Sequence, residues 1–101
     1  MIRRVTVKVV EYKLAENADR DAFLRASAAV LPAIKTLKGF MKRELLEGED
    51  GRWRDIVYWE SREDADQSEV GISELPACLT CIAMMDHSDM TVTHFVLIQE
   101  S

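Results

Sequence analysis

The chain has 101 residues, of which 48% are hydrophobic and 31% charged, and its formal net charge is −5. That length fits one domain, 1–101, and a domain of this size buries roughly 60–70% of its unfolded surface. The acidic balance offers no basic face for phosphate and excludes nucleic acid as the expected partner. No window approaches the ~20 apolar residues of a membrane span, and two cysteines are too few for a disulfide framework.

The start, MIRRVTVKVV, has no long apolar run and no small-residue cleavage site. It reads as a strand rather than a signal peptide, and the expected compartment is the cytoplasm. Residues 3–13 alternate: Val5, Val7 and Val9 fall on one side, and Arg4, Thr6, Lys8, Val10 and Tyr12 on the other. The valine set is the expected helix-facing side, which points Val10 and Tyr12 away from the helices.

A helix is expected over 14–39. Asn17 or Asp19 can cap its start, and Asp19 and Asp21 suit its first turn. Lys35 and Lys38 suit its last turn, with Gly39 as the left-handed stop. Phe23, Ala26 or Ser27, Val30, Ile34 and Leu37 form its apolar stripe. Pro32 removes the N–H that would bond the carbonyl of Ala28, so a kink or an early end is expected there.

FMKRELLE (40–47) is the second expected strand, GEDG (48–51) a hairpin loop, and 52–60 the third strand. Ser61 with Asp64 is a capping-box-like start for a polar helix that stops near Gly71. A second start follows at Ser73, with Pro76 in the first turn and an apolar stripe of Leu75, Leu79, Ile82 and Met85 or Ala83. Residues 86–89 make a turn, and MTVTHFVLIQ (90–99) is the last strand.

The order β-α-β-β-α-β predicts an α+β, ferredoxin-like fold: a four-stranded antiparallel sheet with the helices on one face. The other face would be left to water, yet every register leaves apolar side chains on it. Such a patch exceeds what a monomer usually exposes. A homodimer packed through the sheet faces is the expected cover.

Two stretches carry a family resemblance: LKGFMKRELLE after the first helix and GRWRDIVYWESREDA across the third strand. MIRRVTVKVVEYKLAENADRDAFL also looks like a family start. The sequence resembles the antibiotic biosynthesis monooxygenase-like branch of the dimeric α/β-barrel superfamily, over nearly the whole chain. The resemblance implies a ferredoxin-like protomer paired through its sheets into a barrel. Its activities include cofactor-independent oxygenation of polycyclic phenols to quinones and haem degradation, alongside members with no known chemistry, so fold alone selects no function. In the quinone-forming members an Asn stands four residues before the strand-three Trp. Trp59 fits that Trp, and Asp55 stands at the Asn position, where a carboxylate accepts and does not donate. The haem-degrading members use a Trp and a His in helix two and an Asn in strand one. Helix two here has no Trp and no His before His87, and strand one has no Asn. No cofactor and no metal are expected.

Trp53, Asp55 and Trp59 share one side of the third strand. They can form an aromatic pocket whose carboxylate orients or deprotonates a phenol. The plainer role is dimer-core packing, with Asp55 paired to Arg43, Arg54 or Lys8. Asp55 and His94 are the candidate catalytic groups, and Tyr12, Trp53, Trp59 and His87 the candidate substrate-binding groups. Cys78 and Cys81 have C-x-x-C spacing but lie in an apolar helical stripe, which suits structural thiols better than zinc or redox chemistry. Met84 and Met85 suit core packing or the edge of a flexible pocket. The expected function is a cofactor-independent monooxygenase, or related enzyme, on a small aromatic or polyketide-like substrate. The alternative is a non-catalytic dimeric barrel that binds a small hydrophobic ligand.

Overall fold

The computed structural model describes residues 4–101; Arg3, part of the expected first strand, lies outside them. Strand β1 is Thr6–Tyr12, where β-branched residues suit the pleated backbone. Helix α1 runs Arg20–Ile34, and of the two expected caps it is Asp19 that accepts the N–H of Ala22, at 2.9 Å. The helix continues past Pro32 to Ile34, and the Lys35 N–H still bonds the Leu31 carbonyl at 3.1 Å. Lys35 and Lys38 therefore lie beyond the last turn instead of within it. The chain then reverses through Gly39, whose φ of +82° only glycine adopts without strain.

Strands β2 (Phe40–Glu47) and β3 (Trp53–Trp59) form the expected hairpin. In its loop the Gly48 N–H donates to the Arg52 carbonyl at 2.6 Å. Helix α2 is Arg62–Ser73, and the Ser61 hydroxyl accepts the Asp64 N–H at 3.0 Å, as the capping pattern anticipates. It runs past Gly71. Helix α3, Pro76–Ile82, starts from Leu75 rather than from Ser73, with Pro76 in the first turn. A 3₁₀ turn at His87–Asp89 leads into β4, Thr91–Val96.

The sheet order is β2-β3-β1-β4 and every pairing is antiparallel. Side chains from α1, α2 and α3 close one core with Tyr12, Trp53, Val57 and Trp59. The chain has the ferredoxin-like α+β fold.

The face of β1 is the reverse of the sequence expectation. Tyr12 is fully buried against Phe23 of α1, with ring centroids 6.1 Å apart, so the even-numbered residues face the helices. Val7 and Val9 pair with Tyr58 and Ile56 on the open side. Alternation fixes which residues share a side, and it cannot say which side is covered when both are apolar. Trp53, Asp55 and Trp59 likewise lie beneath the helices, not in a core shared with a partner. Phe23 meets Trp53 at 5.0 Å and Phe40 meets Trp59 at 5.9 Å, both edge to face.

The pairing of β2 with β3 slips between Phe40 and Lys42. The extra residue, Met41, makes a bulge that turns both Phe40 and Arg43 toward the helices. A Cβ at Gly39 would collide with the Asp64 side chain. Gly39→Ala is expected to lose on the order of 2 kcal/mol or more of stability, and Ser61→Ala about 1 kcal/mol. Urea unfolding followed by circular dichroism measures both; a neutral Gly39→Ala would contradict the turn described.

Candidate functional site

Between the sheet and the helices lies a cavity of about 290 Å³. Its floor is Lys8, Val10 and Tyr12 of β1 with Asp55, Val57 and Trp59 of β3, and Arg43 enters from β2. Val30 and Ile34 of α1, Ile72 of α2, and Cys78, Cys81 and Ile82 of α3 form the opposite wall. Met85, Met90 and Val92 close one end.

Asp55 and Arg43 form a bidentate pair in this wall. Arg43 Nε donates to Asp55 Oδ1 at 2.8 Å and Nη2 to Oδ2 at 2.7 Å, while Nη1 donates to the Ser27 carbonyl at 3.1 Å. The two side chains are only 8% and 14% exposed. Burial opposes the Arg43 charge, but the hydrogen bonds it donates to Asp55 prevail and hold the guanidinium above its ordinary value. Asp55 is thereby a fixed, neutralised acceptor. Of its three conceivable partners, Arg43 is the one that holds it, and Arg54 pairs instead with Glu11 at 2.8 Å on the open side.

Two buried donors in the cavity lining have no hydrogen-bond partner among the described residues: the Tyr12 hydroxyl and Trp59 Nε1. Both residues are fully buried. Burial, then the nearby Asp55 charge, pushes the Tyr12 phenol well above its ordinary value, so it remains an O–H donor. The register sets Tyr12 opposite Trp53 and Trp59 opposite Thr6, so the donors stand toward opposite ends of the floor.

The other expected site residues lie elsewhere. Trp53 is packed under α1 with the Arg20 guanidinium 5.8 Å from its ring centre, and it is not among the cavity's lining residues. His87 is exposed and its Nε2 lies 2.9 Å from the Ile82 carbonyl at the end of α3. His94 pairs in register with Lys8 on the helix side of β4. Burial, then the charges of Arg62 and Lys8, lowers its pKa. The sequence offered Arg43 only as one conceivable partner of Asp55, and favoured structural thiols over zinc or redox chemistry for Cys78 and Cys81. The signal was faint: an arginine in the second strand whose side is set by a bulge. Among the described residues no three His, Cys, Asp or Glu side chains are grouped as a metal site requires.

No protein-family model matches the chain, and no curated protein matches it in sequence. Solved structures do. SnoaB, a cofactor-independent oxygenase from Streptomyces nogalater, superposes with a TM-score of 0.73 at 16% identity, over 98% of this chain and 97% of SnoaB. A Nitrosomonas europaea protein provisionally assigned as an antibiotic biosynthesis monooxygenase gives 0.72 at 16%, over 97% and 94% of the two chains. A dimeric ferredoxin-like protein from an uncultured marine organism gives 0.68 at 9%, over 97% and 91%. This chain shares their fold. The resemblance read in the sequence therefore holds at the level of architecture, across nearly the full length.

The cavity thiols supply a test of its dryness. Burial pushes Cys81 up to about 11, against a partial lowering by Arg43. The folded state holds that proton more tightly than the unfolded state, where the thiol titrates near ~8.5. The contribution of Cys81 to stability is complete below ~pH 8.5 and is lost as pH rises toward the folded value. Urea unfolding at about pH 8 and about pH 10.5 is expected to show a fall that Cys81→Ala partly removes; an identical fall in the variant would refute it. Asp55→Asn leaves Arg43 without its charge partner and is expected to cost about 3–5 kcal/mol by the same measurement.

Proposed function

We propose that the cavity binds a small, largely apolar, aromatic molecule carrying at least one acceptor oxygen, and that the protein is a monooxygenase-like enzyme acting on it. The observation that carries this is the pair of unpartnered buried donors, Tyr12 O–H and Trp59 Nε1–H, in a largely apolar wall whose charged groups are ion-paired. An unpaired buried donor costs about 1–3 kcal/mol, and a carbonyl or phenol oxygen of a neutral ligand would supply the partner at either end of the floor. In a water-poor cavity a donor at either end also stabilises negative charge that develops during reaction on the oxygen it meets. Loss of a methylene proton to solvent gives a carbanion delocalised onto the oxygen, which can then react directly with dioxygen. For a methylene flanked by rings the balance closes without another reductant: the CH₂ becomes C=O, the second oxygen atom leaves as water, and the substrate supplies all four electrons.

In this reading Asp55 holds Arg43 in the cavity wall through its bidentate pair and shapes the site without bonding substrate itself. The likeness to SnoaB supports the oxygenase class. One observation favours a second reading, a non-catalytic small-molecule-binding protein. The two carboxylates in the cavity wall are each ion-paired, Asp55 to Arg43 and Glu69 to Lys8 at 3.4 Å, so neither offers a ligand a free oxygen pair. In either reading we propose that the chain forms a homodimer through the open sheet face, where Val7, Val9, Ile56, Tyr58 and Phe95 lie; the dimeric ferredoxin-like neighbour supports this.

Incubation with a panel of anthrones and phenols, with and without oxygen, separates the readings. Oxygen-dependent quinone absorbance is expected, lowered about tenfold or more in Tyr12→Phe and in Trp59→Phe. Binding without turnover, seen as a raised Tm in both atmospheres, selects the second reading. Turnover unchanged in both variants would refute the site.

A further inference from the structure

Cys78 and Cys81 belong to the cavity wall, yet the oxygen chemistry proposed above leaves them unused. Both thiols are free and buried, and both line the cavity from α3. Three residues apart on one helix, they share a face. Burial, reinforced by Asp55 and Cys78 and opposed by Arg43, holds Cys81 in its protonated form, and burial does the same for Cys78. The resting pair is therefore a neutral dithiol. In the same lining, Tyr12 O–H and Trp59 Nε1–H are buried without partners, which marks the space as open to a ligand. A disulfide needs Cβ atoms about 3.5–4.5 Å apart, whereas helical neighbours at this spacing stand about 5–6 Å apart. A direct S–S bond would unwind α3; a single bridging atom supplies the missing span. Among the described residues no third Cys, His, Asp or Glu joins the pair, which removes zinc and its four ligands. A monovalent soft ion on two thiolates would leave a negative charge in a wall whose cations, Arg43 and Lys8, are already paired. A mercuric ion would give a neutral pair but would place nothing in the cavity beyond it.

We propose that Cys78 and Cys81 form a reversible covalent site for a monosubstituted trivalent arsenical, R–As(OH)₂, whose organic group R lies in the cavity. Two S–H and two As–OH bonds break, two As–S bonds form, and two waters leave. Arsenic stays trivalent, so no oxidant or reductant takes part, and no charge is created. Two bonds to sulfur and one to carbon fill the arsenic valences without a further protein ligand. Protonated thiols suit this condensation, because each thiol proton leaves in a water molecule. A wall that holds little water favours a reaction that releases it. An aryl R fits best, since the floor opposite α3 carries Tyr12, Val57 and Trp59. This site shares its space with the ligand proposed above but none of the oxygen chemistry, and it stands if that chemistry fails.

The test uses the intact, reduced chain with phenylarsonous acid as probe and methylarsonous acid as comparison. Mass spectrometry under native conditions is expected to show one adduct per chain, with the mass of the probe less two waters, reversed by excess 1,2-ethanedithiol. Cys78→Ser and Cys81→Ser are each expected to weaken binding about a hundredfold or more, since one sulfur cannot chelate. Measured relative to free dithiothreitol, the native chain is expected to favour the phenyl over the methyl compound by about tenfold or more, from burial of the ring. Ile72→Trp keeps both thiols, fills the cavity and is expected to erase that preference. Circular dichroism checks that each variant is folded; where a serine variant is not, the corresponding alanine variant and the phenyl preference of the native chain decide. No adduct on the folded chain, or one that forms only in denaturing urea, overturns the proposal. An adduct of native affinity in either single-cysteine variant overturns the dithiol. A native chain without phenyl preference, or a preference that survives Ile72→Trp, overturns the cavity as the seat of R. None of these readouts depends on quinone formation, so failure of the oxygenase reading is told apart from failure of this one.

Discussion

Asp55 is a carboxylate on the covered side of the sheet, and much of the local architecture follows from that. A buried charge left alone costs several kcal/mol, so it needs a partner with good geometry. The partner is Arg43 on the strand next door. Phe40 must also face the helices, to meet Trp59 edge-on. Strict alternation puts residues three apart on opposite sides of a strand. The slip at Met41 reconciles the two demands. Arg43 then has a third N–H to spend on the Ser27 carbonyl, which ties the middle of α1 to the sheet. Bulge, ion pair and helix anchor form one construction, and the cavity lies against it.

Much of the fold is legible in the sequence because its signals are local. Asp19, Ser61, Pro32, Gly39 and Pro76 each act on backbone groups within a turn of themselves, and each sits where its chemistry requires. What is not legible depends on contacts between distant segments. Val5, Val7 and Val9 look like a core-facing set, but Val10 and Tyr12 are the ones beneath the helices. Lys8 on that side is tolerable because its stem lies on apolar surface while its ammonium reaches Glu69. The candidate site divides in the same way. Tyr12, Asp55 and Trp59 come together because one register joins β1 to β3. Arg43 was visible only as one of three possible partners, since a bulge has no sequence mark as strong as a cap. The histidines were chosen for their chemistry alone, with nothing in their spacing to place them in a shared pocket.

The open face raises a complementary point about composition. A sheet covered on one side alternates apolar and polar residues. Here β1 carries Val7 and Val9 on its open side and Val10 and Tyr12 on its covered side, and β4 is apolar on both. Charge on the open face is confined to the half of the sheet around Glu11, Arg54 and Glu44, where the ions pair among themselves or with neighbours. β4 itself carries none.

The cavity's polar groups also rank the ligands it favours. Trp59 offers a donor only, and the high Tyr12 pKa keeps its hydroxyl protonated. A ligand bearing further donors gains nothing from either group and finds Asp55 already doubly occupied. A fully charged anion loses its hydration in a wall with no spare cation, since Arg43 and Lys8 are both paired. A neutral molecule that acquires negative charge on an oxygen only as it reacts avoids that entry cost and collects the donors' stabilisation afterwards. That asymmetry between resting and reacting states is what differential transition-state binding requires. It arises here without any group that must itself give up a proton, so the strength of Tyr12 and Trp59 lies in where they are held and in how little else the wall offers.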